Sequence, residues 1–391
     1  MNGRSLSAVV LAAGSGSRMQ SNRPKPLHLL CGRPMLFYVL DALAYCPVGQ
    51  TVVVVGSGAE RITKRISEEL PDRPVDFVEQ PRPRGTADAA AAGVSALVED
   101  DLVDGDVLIL AGDLPLLSAD TVADLVVRHQ STDSACTIVT ARLDDPGERS
   151  RVVRGRDGRI VRLAQGEELG PDELEPAEAA PEVAALAYCV RRGAFRPALR
   201  RLSPDPGDGE YRLAGIVEVL VRAGYTVGSV ETGGPDEIAE VDDRVHLAEV
   251  EATIRRRINL GWLARGVTMV DPATVYIDAT VALARDVTIF PNTLLQGRTA
   301  VGEGAEVGPD TRLVDCVVGA GARVEKTVGR DAEIGTEARV GPFAVLEPGA
   351  QVAPSSVVPP FSTVDDTAAE AAPAAVSDIA ADAPGAVAAD G

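Results

Sequence analysis

The sequence predicts an α/β protein with a Rossmann-like, doubly wound domain followed by a short parallel β-helix. From residue 5 to about 240, apolar β-rich runs alternate with helical stretches, which is the pattern of a mostly parallel sheet covered by helices. In the C-terminal third, apolar residues recur every six positions, which is the period of a β-helix built from hexapeptide repeats. Ligands of a doubly wound sheet bind at the carboxyl ends of its strands, so we expect the main site there.

The length, charge and cysteine content narrow the class of protein. The chain has 391 residues, which suffices for two domains with separate cores. Its net charge is −20, so nucleic acid and anionic membranes are not expected partners. No apolar run reaches ~18 residues, and no signal peptide is recognised. The five scattered cysteines lack CxxC spacing, so a cytoplasmic protein with reduced thiols is expected.

The strand and helix signals give specific bounds in the first domain. Each predicted strand is a short apolar run, and each predicted helix lies between two such runs. Strands are predicted at 8–11, 51–55, 76–79, 106–111 and 135–142, and helices at 35–45, 59–70, 86–97 and 119–130.

The first predicted strand runs into the motif LAAGSGSRM, which is followed by PKPL. Glycines such as Gly14 let backbone N–H groups approach an anion, and Arg18 and Lys25 add two cations. Lysine is scarce in this arginine-rich chain, so a lysine between two prolines indicates a selected contact with phosphate. We therefore expect a triphosphate at this loop, although an ordinary turn with a solvated lysine is the alternative.

This motif resembles the signature of the sugar-1-phosphate nucleotidylyltransferases. The most similar branch is the bacterial one with N-acetylglucosamine-1-phosphate uridylyltransferase and glucosamine-1-phosphate acetyltransferase activities. The resemblance implies that the loop holds the triphosphate and that Arg18 and Lys25 act in catalysis. The nucleotide-binding residues that it implies in this region are Leu11, Ala12, Ala13, Gly14 and Lys25.

A second motif, EQPRPRGTADA at residues 79–89, is expected to read the base. The amide of Gln80 can pair with a base edge, and the backbone of Gly85 and Thr86 can add hydrogen bonds. A plain surface loop is the alternative. In the resembled uridylyltransferases, a glutamine that contacts uracil stands where this chain has Phe77. The identity of the base is therefore left open.

Two aspartates are expected to bind a metal ion. Asp113 follows a predicted buried strand, where a carboxylate can bind Mg²⁺ while phosphate oxygens fill other positions. Further along, the segment EIAEVDDR resembles the family segment whose asparagine shares this metal, and Asp242 stands at that asparagine. We expect Mg²⁺, with Mn²⁺ as a substitute, at Asp113 and Asp242. The alternatives are that Asp113 caps a turn and that Asp242 or Asp243 caps the next helix.

Residues 146–190 are expected to bind the acceptor, and here the chain departs from the family pattern. Ser150 replaces a family glycine, Gln165 stands at the sugar-binding glutamate, and Ala184 stands at the asparagine that binds the N-acetyl sugar. A site built on polar contacts discriminates against analogues that lack the matching groups. The loss of two such contacts therefore predicts a different acceptor.

In the resembled family the β-helix is left-handed, forms trimers and carries the acetyltransferase site. The two arginines of its Gly-Pro-Phe-Ala-Arg-Leu-Arg segment are Val345 and Glu347 here, and this region contains no histidine. We therefore expect no acetyltransferase activity. The number of hexads predicts four or five coils, and the resemblance implies a homotrimer. The recurring apolar positions are Leu295, Val301, Val307, Leu313, Val328, Ile334, Val340, Leu346, Val352 and Val358.

The predicted organisation has four parts. A nucleotidylyltransferase domain occupies 1–242, a connecting helix 243–266, the left-handed β-helix 267–362 and a disordered tail 363–391. The connecting helix is expected to be amphipathic, with Val245, Val250, Ile254, Ile258 and Leu263 on its apolar side.

The motifs together predict an enzyme in which an acceptor phosphate attacks the α-phosphorus of an NTP and expels pyrophosphate. The departures from the family favour a specialised relative of antibiotic or aminocyclitol pathways, with GTP and valienol 1-phosphate as the hypothesis. One alternative is an N-acetylglucosamine-1-phosphate uridylyltransferase that uses UTP and lacks acetyltransferase activity. Others are a non-catalytic trimeric binding protein and a molybdopterin or cytidylyl transferase that shares the first domain alone.

Overall fold

The computed structural model describes residues 4–56, 58–98, 105–147, 149–165, 169 and 180–366. Its internal contacts divide the chain into two compact units. The first consists of Met1–His28 and Pro34–Leu247, and the second of Leu29–Arg33 and Ala248–Gly391. Most of the predicted tail, residues 367–391, lies outside the described residues.

The helices that the structure describes are short, apart from one of 21 residues that ends the first unit and begins the second. No helix within the described ranges is both long and apolar enough to cross a bilayer. The helices are α1 Met35–Asp41, α2 Ala59–Glu69, α3 Thr86–Ala96, α4 Ala119–Ser131, α5 Arg192–Leu199, α6 Ile216–Arg222 and α7 Arg244–Ala264.

Most of the strands before α7 belong to one large sheet, and two strands of two residues each form a separate pair between β1 and α1. The strands are β1 Leu6–Ala12, β2 Leu29–Leu30, β3 Arg33–Pro34, β4 Val48–Val55, β5 Asp76–Glu79, β6 Asp106–Ala111, β7 Ser134–Arg142, β8 Arg151–Arg154, β9 Ile160–Ala164, β10 Glu182–Arg191 and β11 Thr226–Glu231.

The large sheet of the first unit has the order β11-β7-β10-β6-β1-β4-β5, with β8 pairing with β10 and β9 pairing with β8. The pairs around β1 are parallel, whereas β10 runs antiparallel to β6 and β7. Helices α1, α2 and α4 cover one face, and α3, α5 and α6 cover the other. Because both faces are buried, the central strands are continuous apolar runs, which is why they were recognisable in the sequence.

The predicted elements of this unit agree with the structure except at some ends. Strands at 76–79 and 106–111 have the predicted bounds, and helices α2, α3 and α4 differ by one residue at the C-terminal end. The helix predicted at 35–45 was too long, because α1 ends at Asp41 and the chain continues in tight turns. Pro47 follows closely, and the residue before a proline is disfavoured in helical conformation.

The strands of the second unit are short and stack in three parallel sheets. They are β12 Thr268–Met269, β13 Val275–Ile277, β14 Ala282–Leu283, β15 Thr288–Ile289, β16 Thr293–Gln296, β17 Ala300–Val301, β18 Glu306–Val307, β19 Arg312–Val314, β20 Val317–Val318, β21 Arg323–Val324, β22 Val328–Arg330, β23 Glu333–Ile334, β24 Arg339–Val340, β25 Val345–Leu346, β26 Gln351–Val352, β27 Val357–Val358 and β28 Thr363–Val364.

These sheets build the predicted β-helix. They contain six, six and five described strands, which makes five complete coils and two strands of a sixth. The fold class predicted from the sequence, an α/β domain with a left-handed β-helix, is confirmed. The last strand, β28, pairs with β25 and therefore extends two residues past the predicted end of the β-helix at 362.

One predicted inward position of the β-helix was wrong. Val328 is exposed, and its neighbour Gly329 takes the inward position opposite Leu313. A Cβ atom at Gly329 would lie 3.0 Å from Leu313 Cδ2 and 3.4 Å from Cys316 Sγ, so these side chains already fill the interior there. The six-residue spacing is shortened on both sides of Gly329, since the neighbouring inward residues are Val324 and Ile334.

The apolar side of α7 also differs in part from the prediction. Val250, Ile254 and Ile258 are buried as expected, but Val245 is 64% exposed and Leu263 is only half-buried. Val245 lies in the first turn of the helix, before the packed part begins. Near the C-terminal end of α7, the side chains of Asn259 and Trp262 are also buried.

A buried ionic cluster lies at the N-terminal end of β6, at the opposite end of that strand from Asp113. Asp106 accepts hydrogen bonds from Arg4 Nε at 2.9 and 3.0 Å, and His129 Nε2 lies 3.3 Å from the same carboxylate. The side chains of Asp106 and His129 are fully buried. Burial alone would raise the pKa of Asp106, but the hydrogen bonds and charges of His129 and Arg4 outweigh it and lower that pKa.

We expect Asp106→Asn to lower the free energy of unfolding by about 3 kcal/mol at pH 7, because it breaks a buried pair and leaves its partners uncompensated. A carboxyl with a lowered pKa stabilises the fold above its unfolded pKa of about 4, and this contribution is lost as the pH falls through the folded pKa. The difference in the free energy of unfolding between wild type and variant, measured in urea, should therefore become smaller below pH 4. Asp133→Asn, which alters an exposed carboxylate, is the control and should change the free energy of unfolding little.

Candidate active site

The glycine-rich loop follows β1 as predicted. Leu11 is half-buried, and Ala12 and Ala13 are buried. Gly14 is exposed, and a Cβ atom added there would have no other atom within 4 Å. Gly16 has a left-handed φ of 62°, and a Cβ there would lie 2.8 Å from Lys25 Cβ. The loop therefore presents open backbone at Gly14 and packs closely against the lysine segment at Gly16.

The central feature of the site is a lysine that joins two distant aspartates. Lys25 Nζ lies 2.5 Å from Asp113 Oδ2 and 3.0 Å from Asp242 Oδ1. Arg18 also reaches this cluster, with its guanidinium 3.0 Å from Asp242 Oδ1. The structure thus brings together the four charged residues to which the sequence assigned catalysis and metal binding.

The charges of this cluster stabilise one another. Burial opposes the charged form of Lys25, but Asp113 and Asp242 outweigh it and raise the pKa of the lysine. Burial likewise opposes the charge of Asp242, yet Lys25 and Arg18 hold the pKa of that carboxyl below its usual range. Both groups are therefore charged at neutral pH.

The donor set fits a magnesium ion. Mg²⁺ is usually held by one or two carboxylates together with waters and substrate phosphates, and Asp113 and Asp242 supply two half-buried carboxylates within reach of one cation. Within the described ranges, no group of three or more His, Cys, Asp or Glu side chains is placed to hold a metal ion. Substrate phosphate oxygens and water would supply the remaining ligands of such an ion.

Two aspartates at the start of α7 have separate roles. Asp243 Oδ1 accepts hydrogen bonds from the backbone N–H groups of Val245 and His246, both at 2.9 Å, so it caps the helix. Asp242 faces Lys25 instead. Of the two aspartates in this segment, the capping alternative therefore applies to Asp243.

Glu240 interacts electrostatically with the charged cluster, which the sequence did not predict. It is half-buried, and burial followed by the charges of Asp113 and Asp242 raises its pKa to about 7. The positive charges of Arg149 and Lys25 offset part of this effect. A signal for it was present, because Glu240 stands where the resembled family segment has glycine.

The second motif is built around the start of α3. Gly85 has a φ of 103°, and a Cβ there would lie 2.6 Å from the carbonyl oxygen of Tyr211, so only glycine fits. Thr86 Oγ1 accepts a hydrogen bond from Leu213 N at 2.9 Å. The motif is therefore fastened to residues 211–213, a contact that sequence spacing did not reveal.

The predicted base reader, Gln80, is buried and already hydrogen-bonded. Its side-chain nitrogen donates to Asp88 Oδ2 at 2.8 Å and to the carbonyl of Gly85 at 3.3 Å. Phe77 is half-buried and packs against the core cluster of α1, α2 and α4. The base-reading role of Gln80 stays a prediction, and its amide orientation is set by Asp88.

The three residues predicted to bind the acceptor lie close together. Ala184 N donates to the carbonyl oxygen of Ser150 at 2.9 Å, and Gln165 Nε2 lies 3.5 Å from Ser150 Oγ. Ala184 is buried in β10 and packs in the core cluster of α3, α5 and α6. Most of the residues between β9 and β10, 166–168 and 170–179, lie outside the described residues.

A family model decides the wider relationship of the chain. The model of the MobA-like NTP transferase domain matches residues 8–218, which is more than half of the chain. This chain belongs to that family. It is a nucleotidyltransferase of the sugar-1-phosphate type, and the resemblance drawn from its first motif is confirmed. Nucleotidyltransferases of this family typically use Mg²⁺ and bind an NTP and a sugar 1-phosphate.

Similarity to individual proteins extends beyond the matched domain. The bifunctional protein GlmU of Mycobacterium ulcerans (strain Agy99) is 41% identical over 337 residues, which are 86% of this chain and 67% of that protein. GlmU of Mycolicibacterium vanbaalenii is 39% identical over 342 residues, 87% of this chain and 68% of that protein. The inositol-1-phosphate CTP transferase from T. maritima aligns with a TM-score of 0.49 and 16% identity over 65% of this chain and 98% of that one. Because the GlmU alignments extend beyond the first domain, they disfavour the alternative of a molybdopterin or cytidylyl transferase that shares only that domain.

Proposed function

We propose that the chain transfers a nucleotidyl group from an NTP to a sugar-like 1-phosphate and releases pyrophosphate. The observation that carries this proposal is the meeting of Lys25 with Asp113 and Asp242 beside the glycine-rich loop. Two carboxylates, two cations and an open backbone turn form a site suited to a triphosphate and a second phosphate.

Each charged residue has a role in this proposal. Lys25 and Arg18 neutralise charge on the triphosphate, and Arg18 can turn toward it because its side chain is 62% exposed. Mg²⁺ held by Asp113 and Asp242 would act as a Lewis acid on phosphoryl oxygens. The acceptor phosphate is already anionic, so no covalent enzyme nucleophile is needed, and positioning with electrostatic stabilisation supplies the rate.

The substrates that we propose are GTP and a cyclitol 1-phosphate such as valienol 1-phosphate. Support comes from Phe77, Gln165 and Ala184, which replace polar groups that the resembled uridylyltransferases use for uracil and the N-acetyl sugar. Ala184 offers only a buried methyl group. UTP with N-acetylglucosamine 1-phosphate is the second candidate, and the likeness to GlmU favours it.

The test is pyrophosphate release with Mg²⁺ across UTP, GTP, ATP, dTTP and CTP. Each nucleotide is paired with N-acetylglucosamine 1-phosphate, glucose 1-phosphate, mannose 1-phosphate and a cyclitol 1-phosphate. Highest kcat/KM for GTP with the cyclitol phosphate supports the proposal. Highest kcat/KM for UTP with N-acetylglucosamine 1-phosphate establishes the second candidate, and turnover of no pair contradicts both.

We further propose that the chain forms a homotrimer through an apolar surface of the β-helix. Val328 and Val345 point outward from neighbouring strands and are 54% and 38% exposed. Phe343 and Phe361 add two exposed rings, stacked with centroids 5.0 Å apart. Contiguous exposed apolar residues of this kind mark protein–protein contacts.

Val345→Glu is expected to convert the assembly to monomers, because a carboxylate buried in an apolar interface would have no partner. Light scattering coupled to size exclusion should give the mass of one chain for this variant and three for wild type. Gln351→Glu, on a strand of another sheet, is the control and should keep the wild-type mass. Monomeric wild-type protein, or a trimeric Val345→Glu variant, would contradict the proposal.

A further inference from the structure

Arg244 joins the chain segments that carry the reactive charges. Its Nε donates to the carbonyl oxygen of Met19 at 3.2 Å, and its Nη1 lies 3.3 Å from His28 Nδ1. Met19 directly follows Arg18, and His28 caps the short helix that begins with Lys25. Arg244 itself lies two residues after Asp242, so one guanidinium connects the segments of Arg18, Lys25 and Asp242.

The contact with His28 requires a neutral ring. A guanidinium can only donate hydrogen bonds, so His28 Nδ1 must accept. His28 is buried, and burial followed by the charge of Arg244 lowers its pKa. The imidazole is therefore a neutral acceptor at pH 7, and the contact with Arg244 is maintained.

Glu237 anchors the other end of the same segment. Its Oε2 accepts hydrogen bonds from Ser118 N at 3.0 Å and from Ser118 Oγ at 2.8 Å. Between the two anchors, Val241 N donates to the carbonyl oxygen of Asp113 at 3.1 Å. The segment that carries Asp242 is thus fastened on one side to the chain after Asp113 and on the other to the loops of Arg18 and Lys25.

We propose that Arg244 and Glu237 are positioning residues for nucleotidyl transfer. They set the carboxylate of Asp242 against Lys25 and Asp113 through contacts that involve no reacting atom. This inference rests on the function proposed above. A displacement of about 1 Å in a catalytic group can cost about 10²-fold in rate, so positioning of this kind has a measurable effect.

The first test compares kinetics of Arg244→Met with those of Arg256→Met, an exposed arginine on the same helix. We expect kcat to fall about 10-fold or more in Arg244→Met and to stay at the wild-type value in Arg256→Met. Arg244→Lys, which keeps one donor, should lie between wild type and Arg244→Met. Glu237→Gln, which keeps a carbonyl acceptor, should retain more activity than Glu237→Ala. Equal kcat in Arg244→Met and Arg256→Met would overturn the proposal.

A second readout needs no turnover and therefore separates this inference from the proposed function. Hydrogen exchange of the substrate-free protein should be faster at residues 16–28 in Arg244→Met than in wild type, because their short-range backbone hydrogen bonds lose an anchor. Exchange in β6 should be unchanged. Wild-type exchange at 16–28, or faster exchange across the whole first unit, would overturn the positioning role even if no substrate pair is found.

Discussion

Lys25→Met is expected to lower kcat/KM by about 10²- to 10³-fold, because it removes a preorganised cation from the site where phosphate charge develops. Methionine preserves the unbranched apolar part of the side chain and lacks the ammonium group, so the change isolates the charge. Lys25 Nζ is the atom that joins Asp113 and Asp242, and its loss also leaves their carboxylates and Glu240 in mutual repulsion. We therefore expect a lower thermal midpoint as well. Steady-state kinetics and thermal unfolding measure the two effects separately.

Lys64→Met is the matched control for this variant. Lys64 is 72% exposed and pairs weakly with Glu68 on the surface of α2, so its removal should leave both activity and thermal midpoint near wild type. A Lys25→Met enzyme with wild-type kcat/KM would show that phosphate is neutralised elsewhere, and the assignment of Lys25 would then be wrong.

Asp113→Asn is expected to lower kcat by about 10³-fold, since the neutral amide is a poorer ligand for a hard cation than a carboxylate. Activation of the residual activity should require higher Mg²⁺ concentrations than in wild type. The amide keeps the shape of the side chain, and Asp242 remains paired with Lys25, so the thermal midpoint should change little.

Asp106→Asn supplies the comparison for Asp113→Asn, because both aspartates flank β6 at opposite ends. Asp106→Asn should lose stability and keep kcat/KM when assayed at a temperature where the variant is folded. Asp113→Asn should keep its stability and lose activity. Equal losses of activity in the two variants would mean that the effect at Asp113 is structural.

Much of the fold was predictable because it depends on local sequence. Buried central strands are continuous apolar runs, and the turn after β1 requires a glycine at position 16, where φ is positive and a Cβ would meet Lys25. The six-residue period predicted the β-helix for the same reason, since each coil repeats one local pattern. The prediction was wrong at Val328, where the period shortens and the interior is filled by neighbours from other coils.

The site was predictable only in part. Arg18, Lys25, Asp113 and Asp242 lie in motifs that are recognisable one by one, and the structure places them together. Their partners were not predictable, because a contact such as that of Arg244 with Met19 spans 225 positions and leaves no mark on sequence spacing.

The sequence by itself therefore determined the α/β domain, the β-helix, the glycine-rich loop after β1 and the motifs that carry the charged residues, because each depends on a short pattern. Only the tertiary structure decided that Lys25 joins both aspartates, that Asp243 caps α7, and that Glu240 lies near enough for both aspartates to raise its pKa. These facts depend on which loops meet at the carboxyl ends of the strands. That meeting is set by contacts between residues up to 225 positions apart.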